Sequence, residues 1–238
     1  MKKLSIIIPC YNEEKNIPLI IERFDRVIAG NDIEVVLVNN GSTDGSTKVF
    51  EALCPRYSFI KQVCVAVNKG YGYGILQGLK AATGEYLGWT HADMQTDPSD
   101  VVRAFKIVAD KGYPEDIFIK GNRCGRSLFD QFFTAGMSFF ETVYLRKKLW
   151  DINAQPNIFH RSFYEHWDKP PHDFSLDLYA LYMAKKNHLQ IVRFKVAFPE
   201  RVHGVSSWNT GLQSKWKLIK RTVDFSRSLK RSTLAKGE

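Results

Sequence analysis

The chain has 238 residues, 44% of them hydrophobic, and a formal net charge of +9. That length and apolar content suffice for one substantial core, and ordinary Gly and Pro usage without a fixed-period repeat or low-complexity block excludes disordered and solenoid chains. No run reaches the roughly 18 apolar residues needed to cross a bilayer, and Cys10, Cys54, Cys64 and Cys124 lack both the Cys-x-x-Cys spacing and the histidine partners of a zinc site.

In chain order, Leu4 to Ile8 is a short β-branched run closed by Pro9, expected as a buried strand entering a loop, with Asn12 placed as N-cap of the next helix. Lys2 and Lys3 precede too few apolar residues for an export signal, so the expectation is a cytoplasmic chain. Ile17, Leu19, Ile20, Ile21, Phe24, Val27 and Ile28 recur at helical spacing, and Ile33 to Val38 is a second strand that stops at Asn39-Asn40-Gly41. Residues 44–53 suit a helix, 60–67 a third strand, 74–83 another helix, and 85–89 a fourth strand running into Thr90-His91-Ala92-Asp93. Strands alternating with helices at this spacing predict a parallel, doubly wound α/β sheet. Ligands gather beyond the carboxyl ends of such strands, so residues 9–13, 39–44, 68–72 and 90–97 are expected around one crevice.

Beyond residue 125 the alternation fails. Phe129, Phe132, Phe133, Met137, Phe139, Phe140, Val143, Tyr144 and Leu145 form an aromatic-rich helical stretch ending in Arg146-Lys147-Lys148. It reads either as a core helix or as a helix at a membrane interface or acceptor site. Residues 211–238 hold eight Lys/Arg against Asp224 and Glu238, with Leu212, Trp216, Ile219 and Val223 at helical spacing. Such a basic amphipathic helix either lies on anionic lipid or packs on the domain with a solvated face. No recognition helix or aromatic platform accompanies the charge, so no nucleic-acid partner is expected. The reading divides the chain into a main domain, 1–207, and a basic tail, 208–238.

Four segments carry a resemblance. Ile6-Ile7-Ile8-Pro9-Cys10-Tyr11-Asn12-Glu13-Glu14, Val38-Asn39-Asn40-Gly41-Ser42-Thr43-Asp44-Gly45-Ser46, Asn68-Lys69-Gly70-Tyr71-Gly72 and Ala82-Thr83-Gly84-Glu85-Tyr86 resemble, in order, the motifs of the inverting family 2 glycosyltransferases. Ala92-Asp93-Met94-Gln95 with Asp97-Pro98, Gly121-Asn122-Arg123 and Arg201-Val202-His203-Gly204-Val205-Ser206 are similar to the dolichyl- and polyprenyl-phosphate sugar synthase branch, and Asn153-Ala154-Gln155-Pro156 matches it more loosely. The resemblance implies a GT-A type, Rossmann-like, mostly parallel sheet with a C-terminal helical extension. It also implies metal-dependent transfer of a sugar from a nucleotide-sugar donor, with Mn²⁺ or Mg²⁺ as cofactor.

The roles it implies fall on particular residues. Asp93 is the metal ligand, since a departing nucleoside diphosphate needs its charge neutralised. Pro9, Tyr11 and Glu13 hold base and ribose, Asn40 pairs with the base, and Gln95 orients the sugar or a metal-bound water. Arg123 and Arg201 clamp phosphate oxygens with their planar forks. Asp151 is the candidate general base if the acceptor is a sugar hydroxyl; an already anionic lipid phosphate would need it only for positioning.

Three departures from the family pattern stand out. Asn39-Asn40 replaces an acidic pair, Ser207 replaces a lysine, and His91 replaces the first Asp of Asp-x-Asp. His91 either ligates the cation, favouring Mn²⁺, or hydrogen-bonds the loop. His203 is a second histidine placed to ligate or simply to belong to its loop. The acceptor expected is polyprenyl phosphate, reached by peripheral contact at the inner face of the membrane. A saccharide hydroxyl in surface polysaccharide synthesis is the alternative, and a non-catalytic nucleotide-sugar-binding protein is an alternative of another class.

Overall fold

The computed structural model describes residues 3–125, 128–199 and 212–235. Seven strands, β1 (Leu4–Cys10), β2 (Ile33–Asn40), β3 (Ile60–Val65), β4 (Tyr86–Trp89), β5 (Ile117–Cys124), β6 (Asn157–His160) and β7 (Gln190–Ala197), form one sheet in the order β3-β2-β1-β4-β6-β5-β7. Only β6 runs antiparallel to its neighbours β4 and β5; the remaining pairs are parallel. The expected mostly parallel α/β sheet is therefore present.

Side-chain alternation explains why the sheet is covered on both faces. Leu4, Ile6 and Ile8 of β1 and Ile33, Val35 and Leu37 of β2 pack with α1 (Asn16–Ile28), α2 (Ser46–Leu53) and α4 (Pro98–Asp110). Ile7, Val36 and Val38 point the other way, to α3 (Tyr71–Ala81), α6 (Arg161–Glu165) and α7 (Ser175–Lys186). Each fully buried Ile or Leu contributes about 1.5–3 kcal/mol, and the period of two fixes which face each occupies. α4 starts where Asp97 accepts a hydrogen bond from the Ser99 amide at 2.8 Å and Pro98 fills its first position, so Asp97-Pro98 is a helix-start signal.

Several local expectations change. β1 runs through Pro9, because β4 pairs with β1 only as far as Ile7 and Pro9 has β2 alone beside it. Asn12 does not cap α1; it sits at φ 57 and its Oδ1 accepts from the Thr43 amide at 2.8 Å. β3 stops at Val65 and α3 begins at Tyr71.

The second half holds what periodicity did not show. β5 and β7 add to the parallel sheet, and α7 is buried nearly all round, so it lacks a helical stripe to read. α5 (Leu128–Leu145) is not a core helix along its full face: Phe132, Phe139 and Val143 are exposed. α8 (Leu212–Ala235) joins the body through Leu229, which is in the core, and through Ser226, whose hydroxyl donates to buried Glu141 of α5 at 2.6 Å. No helix among the described residues is long and apolar enough to cross a membrane.

Candidate active site

The four polar segments beyond the parallel strand ends do meet. The Asn12 amide donates to Ser42 Oγ at 3.1 Å and the Glu13 amide to Ser46 Oγ at 3.0 Å, tying the loop after β1 to the loop after β2. Asn40 Nδ2 donates to the Gly70 carbonyl at 3.0 Å, tying β2 to the start of α3. The rings of Tyr71 and His91 lie 5.8 Å apart, which brings in the loop after β4. Pro9 and exposed Tyr11 lie on the β1 side of this crevice, and Glu13 Oε2 accepts from Asn16 Nδ2 at 2.5 Å.

Asn40 is not placed as expected for a base-pairing group. It is 2% exposed, and its amide nitrogen is engaged by Gly70, which needs its φ of 113° and its missing Cβ because the His172 carbonyl would stand 2.4 Å from that atom. Asn40 Oδ1 is buried without a partner. Asn39 is likewise inward, donating to Thr47 Oγ1 at 2.9 Å and accepting from the Ser42 amide at 3.1 Å. The pair braces the crevice wall.

Asp93 is buried, and its Oδ1 accepts from the Gln95 amide at 3.2 Å across Met94, which holds φ 64. Gln95 Nε2 reaches the Pro199 carbonyl at 3.0 Å. Among the described residues no group of three His, Cys, Asp or Glu could hold a metal ion unaided. One carboxylate and one imidazole nevertheless suit a cation that arrives with its nucleotide, since Mg²⁺ and Mn²⁺ at such sites take one or two protein ligands and complete their shell with phosphate oxygens and water. Arg201, His203 and Ser207 lie outside the described residues.

Beneath His91 is a buried polar network that sequence reasoning missed. Asp177 Oδ1 accepts from Trp89 Nε1 at 3.0 Å, Gln155 Nε2 at 2.8 Å and Asn157 Nδ2 at 3.0 Å. Asp177 stands in the first turn of α7, where the helix dipole favours a carboxylate. Gln155 also approaches the Tyr71 hydroxyl at 3.4 Å, and Tyr71 stacks on Phe174 with ring centroids 4.5 Å apart. Burial, then the charges of Asp177 and Asp93, push the Tyr71 phenol up, so it stays protonated. Lys120, fully buried, donates to the Ala154 carbonyl at 2.8 Å and to Asn157 Oδ1 at 2.7 Å, and burial lowers its ammonium to about 7. One available signal was Asp177 standing alone among the apolar residues of α7.

Arg123 and Asp151, read as a phosphate clamp and a candidate general base, are partners of one another. Arg123 Nε and Nη2 donate to Asp151 Oδ1 at 2.9 and 2.5 Å, and the Arg123 amide donates to Oδ2 at 2.8 Å. The Arg123 guanidinium also lies over Phe198, 5.1 Å from the ring centroid. Beside it opens a mostly apolar cleft of about 70 Å³, walled by Met137 and Ser138 of α5, Ile152, Phe174, Leu178 of α7 and Ile219 of α8. Because Phe198 meets Arg123 and Pro199 meets Gln95, the cleft and the Asp93 loop flank the same short segment.

Comparison with known proteins agrees with this geometry. A family model described as Glycosyl transferase family 2 matches residues 5–167. An undecaprenyl-phosphate 4-deoxy-4-formamido-L-arabinose transferase of Klebsiella pneumoniae (strain 342) is 33% identical over 128 residues, 52% of this chain and 38% of that protein. Its namesake in Yersinia enterocolitica is 33% identical over 119 residues, 48% of this chain and 35% of that protein. The chain thus spans well under half the length of these curated relatives. Among solved structures, glucosyl-3-phosphoglycerate synthase from Mycobacterium tuberculosis with Mn²⁺ and UDP-glucose superposes with TM-score 0.70 at 17% identity, over 94% of this chain and 79% of that one. A mannosyltransferase from Pyrobaculum calidifontis with GDP-mannose and Mn²⁺ gives 0.61 at 20% identity, over 84% and 57%. At such identities the likeness concerns the fold, and the sheet is of the GT-A type.

Proposed function

Because this chain belongs to glycosyl transferase family 2, we propose that it transfers a sugar from a nucleotide-sugar donor, with inversion, to a polyprenyl phosphate at the membrane surface. The observation that carries this reading is the Phe198-Pro199 bridge, with the Asp93 loop on one side and Arg123 with its apolar cleft on the other. A phosphate bearing an isoprenoid chain has the matching form, an anion for the Arg123 Nη1 that Asp151 does not engage and hydrocarbon for the cleft. The relatives named as undecaprenyl-phosphate sugar transferases support the same acceptor class.

In the reaction an acceptor phosphate oxygen attacks the anomeric carbon, and the glycosidic electron pair leaves with the nucleoside diphosphate. A divalent cation, Mn²⁺ or Mg²⁺, neutralises that leaving group when bound, and Asp93 with His91 are the described residues that would hold it. Tyr11 and Glu13 flank the nucleoside side of the crevice, and half-buried Tyr71 lies beside the His91 ring, 5.8 Å between centroids. A saccharide hydroxyl would need a general base, whereas the Asp151 oxygens both accept hydrogen bonds from Arg123; that favours an acceptor already anionic.

The test is thermal stabilisation by a panel of nucleoside diphosphates and sugar nucleotides with Mn²⁺, Mg²⁺ or chelator. The expected result is a metal-dependent rise with one base that Asp93→Ala abolishes. No rise with any of them overturns the donor assignment.

A further inference from the structure

α5 is folded with its polarity inverted. Phe132 and Phe139 are 80% and 73% exposed, and Phe140 and Val143 share their arc of the helix, with Gly136 between them. The opposite face holds Ser138 and Glu141, both buried, and Leu145. Residues 132, 136, 139, 140 and 143 lie within about 100° of one another at 100° per residue, so they make one continuous apolar stripe. Soluble surfaces rarely leave such a stripe uncovered.

The surroundings say what covers it. The stripe runs into Arg146, Lys147 and Lys148, and Lys230 of α8 sits 4.4 Å over the ring of Tyr144, which stacks on Phe140. Trp150, half-exposed, follows directly. Aromatic rings at the edge of a cationic cluster match the headgroup boundary of an anionic bilayer, where rings enter the acyl edge and ammonium groups meet phosphates. A second copy of this chain seated isologously would bring the same cations together, which disfavours self-association.

We propose that the exposed stripe of α5, with Arg146, Lys147, Lys148 and Lys230, is the surface by which this chain docks on an anionic lipid bilayer. This deepens the polyprenyl-phosphate reading and rests on it for its purpose: Thr134, Met137 and Ser138, turned away from the stripe on the same helix, line the cleft beside Arg123, so docking holds the cleft about one helix diameter, roughly 10–12 Å, from the headgroups.

The test is co-sedimentation of the full chain with vesicles of phosphatidylcholine alone or with about 30% phosphatidylglycerol. Binding is expected only to the anionic vesicles, weakening with salt, and falling roughly tenfold or more in the Phe132→Ser, Phe139→Ser double variant. That variant is expected to keep the wild-type melting temperature and its transfer to a short-chain, detergent-free isoprenyl phosphate. Equal binding by variant and wild type, or no vesicle binding, overturns the proposal; so does a wild-type dimer that the variant converts to monomer, which would make the stripe a contact between copies. Docking without transfer to the short-chain acceptor leaves the surface standing and rejects the acceptor, while transfer without docking does the reverse.

Discussion

The Arg123 guanidinium donates twice to one oxygen of Asp151 while the Arg123 amide donates to the other, so a single carboxylate fixes both the side chain and the backbone at the end of β5. The side chains are 12% and 1% exposed. Asp151→Asn therefore strands a buried guanidinium and is expected to cost about 3–5 kcal/mol, read by chemical denaturation. The double variant Arg123→Met, Asp151→Leu removes the stranded charge but leaves the Arg123 amide without its acceptor, so it should recover only part of that stability, without recovering transfer. Were Asp151 a general base instead, Asp151→Asn would remove an ionisation from the pH–rate profile while leaving stability nearly unchanged.

Asn40 supplies a second expectation. An aspartate there turns a carboxylate oxygen toward the Gly70 carbonyl, replacing a 3.0 Å hydrogen bond by repulsion in a site 2% exposed. Asn40→Asp should lose about 1–3 kcal/mol at neutral pH and regain part of it in acid, where the protonated acid can donate again. A variant as stable as wild type at both pH values would show that Asn40 does not brace α3.

How much of this was legible beforehand differs by element. The alternation of Leu4, Ile6 and Ile8 against Ile7 carries its own face assignment, so the parallel half of the sheet and its crevice follow from pattern alone. Arg123 and Asp151 each stand out by type, but 28 positions and the whole of α5 separate them, and spacing contains nothing about their pairing. In α5 the periodicity shows that one face is aromatic but not which way that face turns; buried Ser138 and Glu141 settle it, and both are residues that pattern places outside. Lys120 hides for the same reason, because a lysine is a residue that pattern places outside, while in β5 it is fully buried.

Lys120 has a pH signature. Burial lowers its ammonium from 10.5 to about 7, so between those values the unfolded chain binds the extra proton. Its contribution to stability therefore rises with pH across that window, the penalty being full below about 7 and gone above about 10.5. Lys120→Met should remove this rising component from the stability curve measured between pH 7 and 10. Parallel curves for the two proteins would mean that the amine is not held in its buried state.

Glu141 has the opposite sign. Burial raises its carboxyl from 4.5 to about 7, and the Ser226 hydroxyl bond only partly offsets this. The folded chain holds the proton across that window, so stability falls as pH rises through it and the full penalty is present above about 7. Glu141→Gln should match wild type near pH 4 and gain about 1–3 kcal/mol at pH 8, by denaturation at each pH. An equal effect at both pH values would assign the residue a packing role alone.

The most direct measurement incubates the chain with radiolabelled sugar nucleotide, polyprenyl phosphate vesicles and Mn²⁺, and counts label in the organic extract. A labelled polyprenyl phosphosugar is expected, absent with chelator and in Asp93→Ala. Label appearing only in water-soluble saccharide, or lipid product formed unchanged by Asp93→Ala, would contradict metal-dependent transfer to a lipid phosphate.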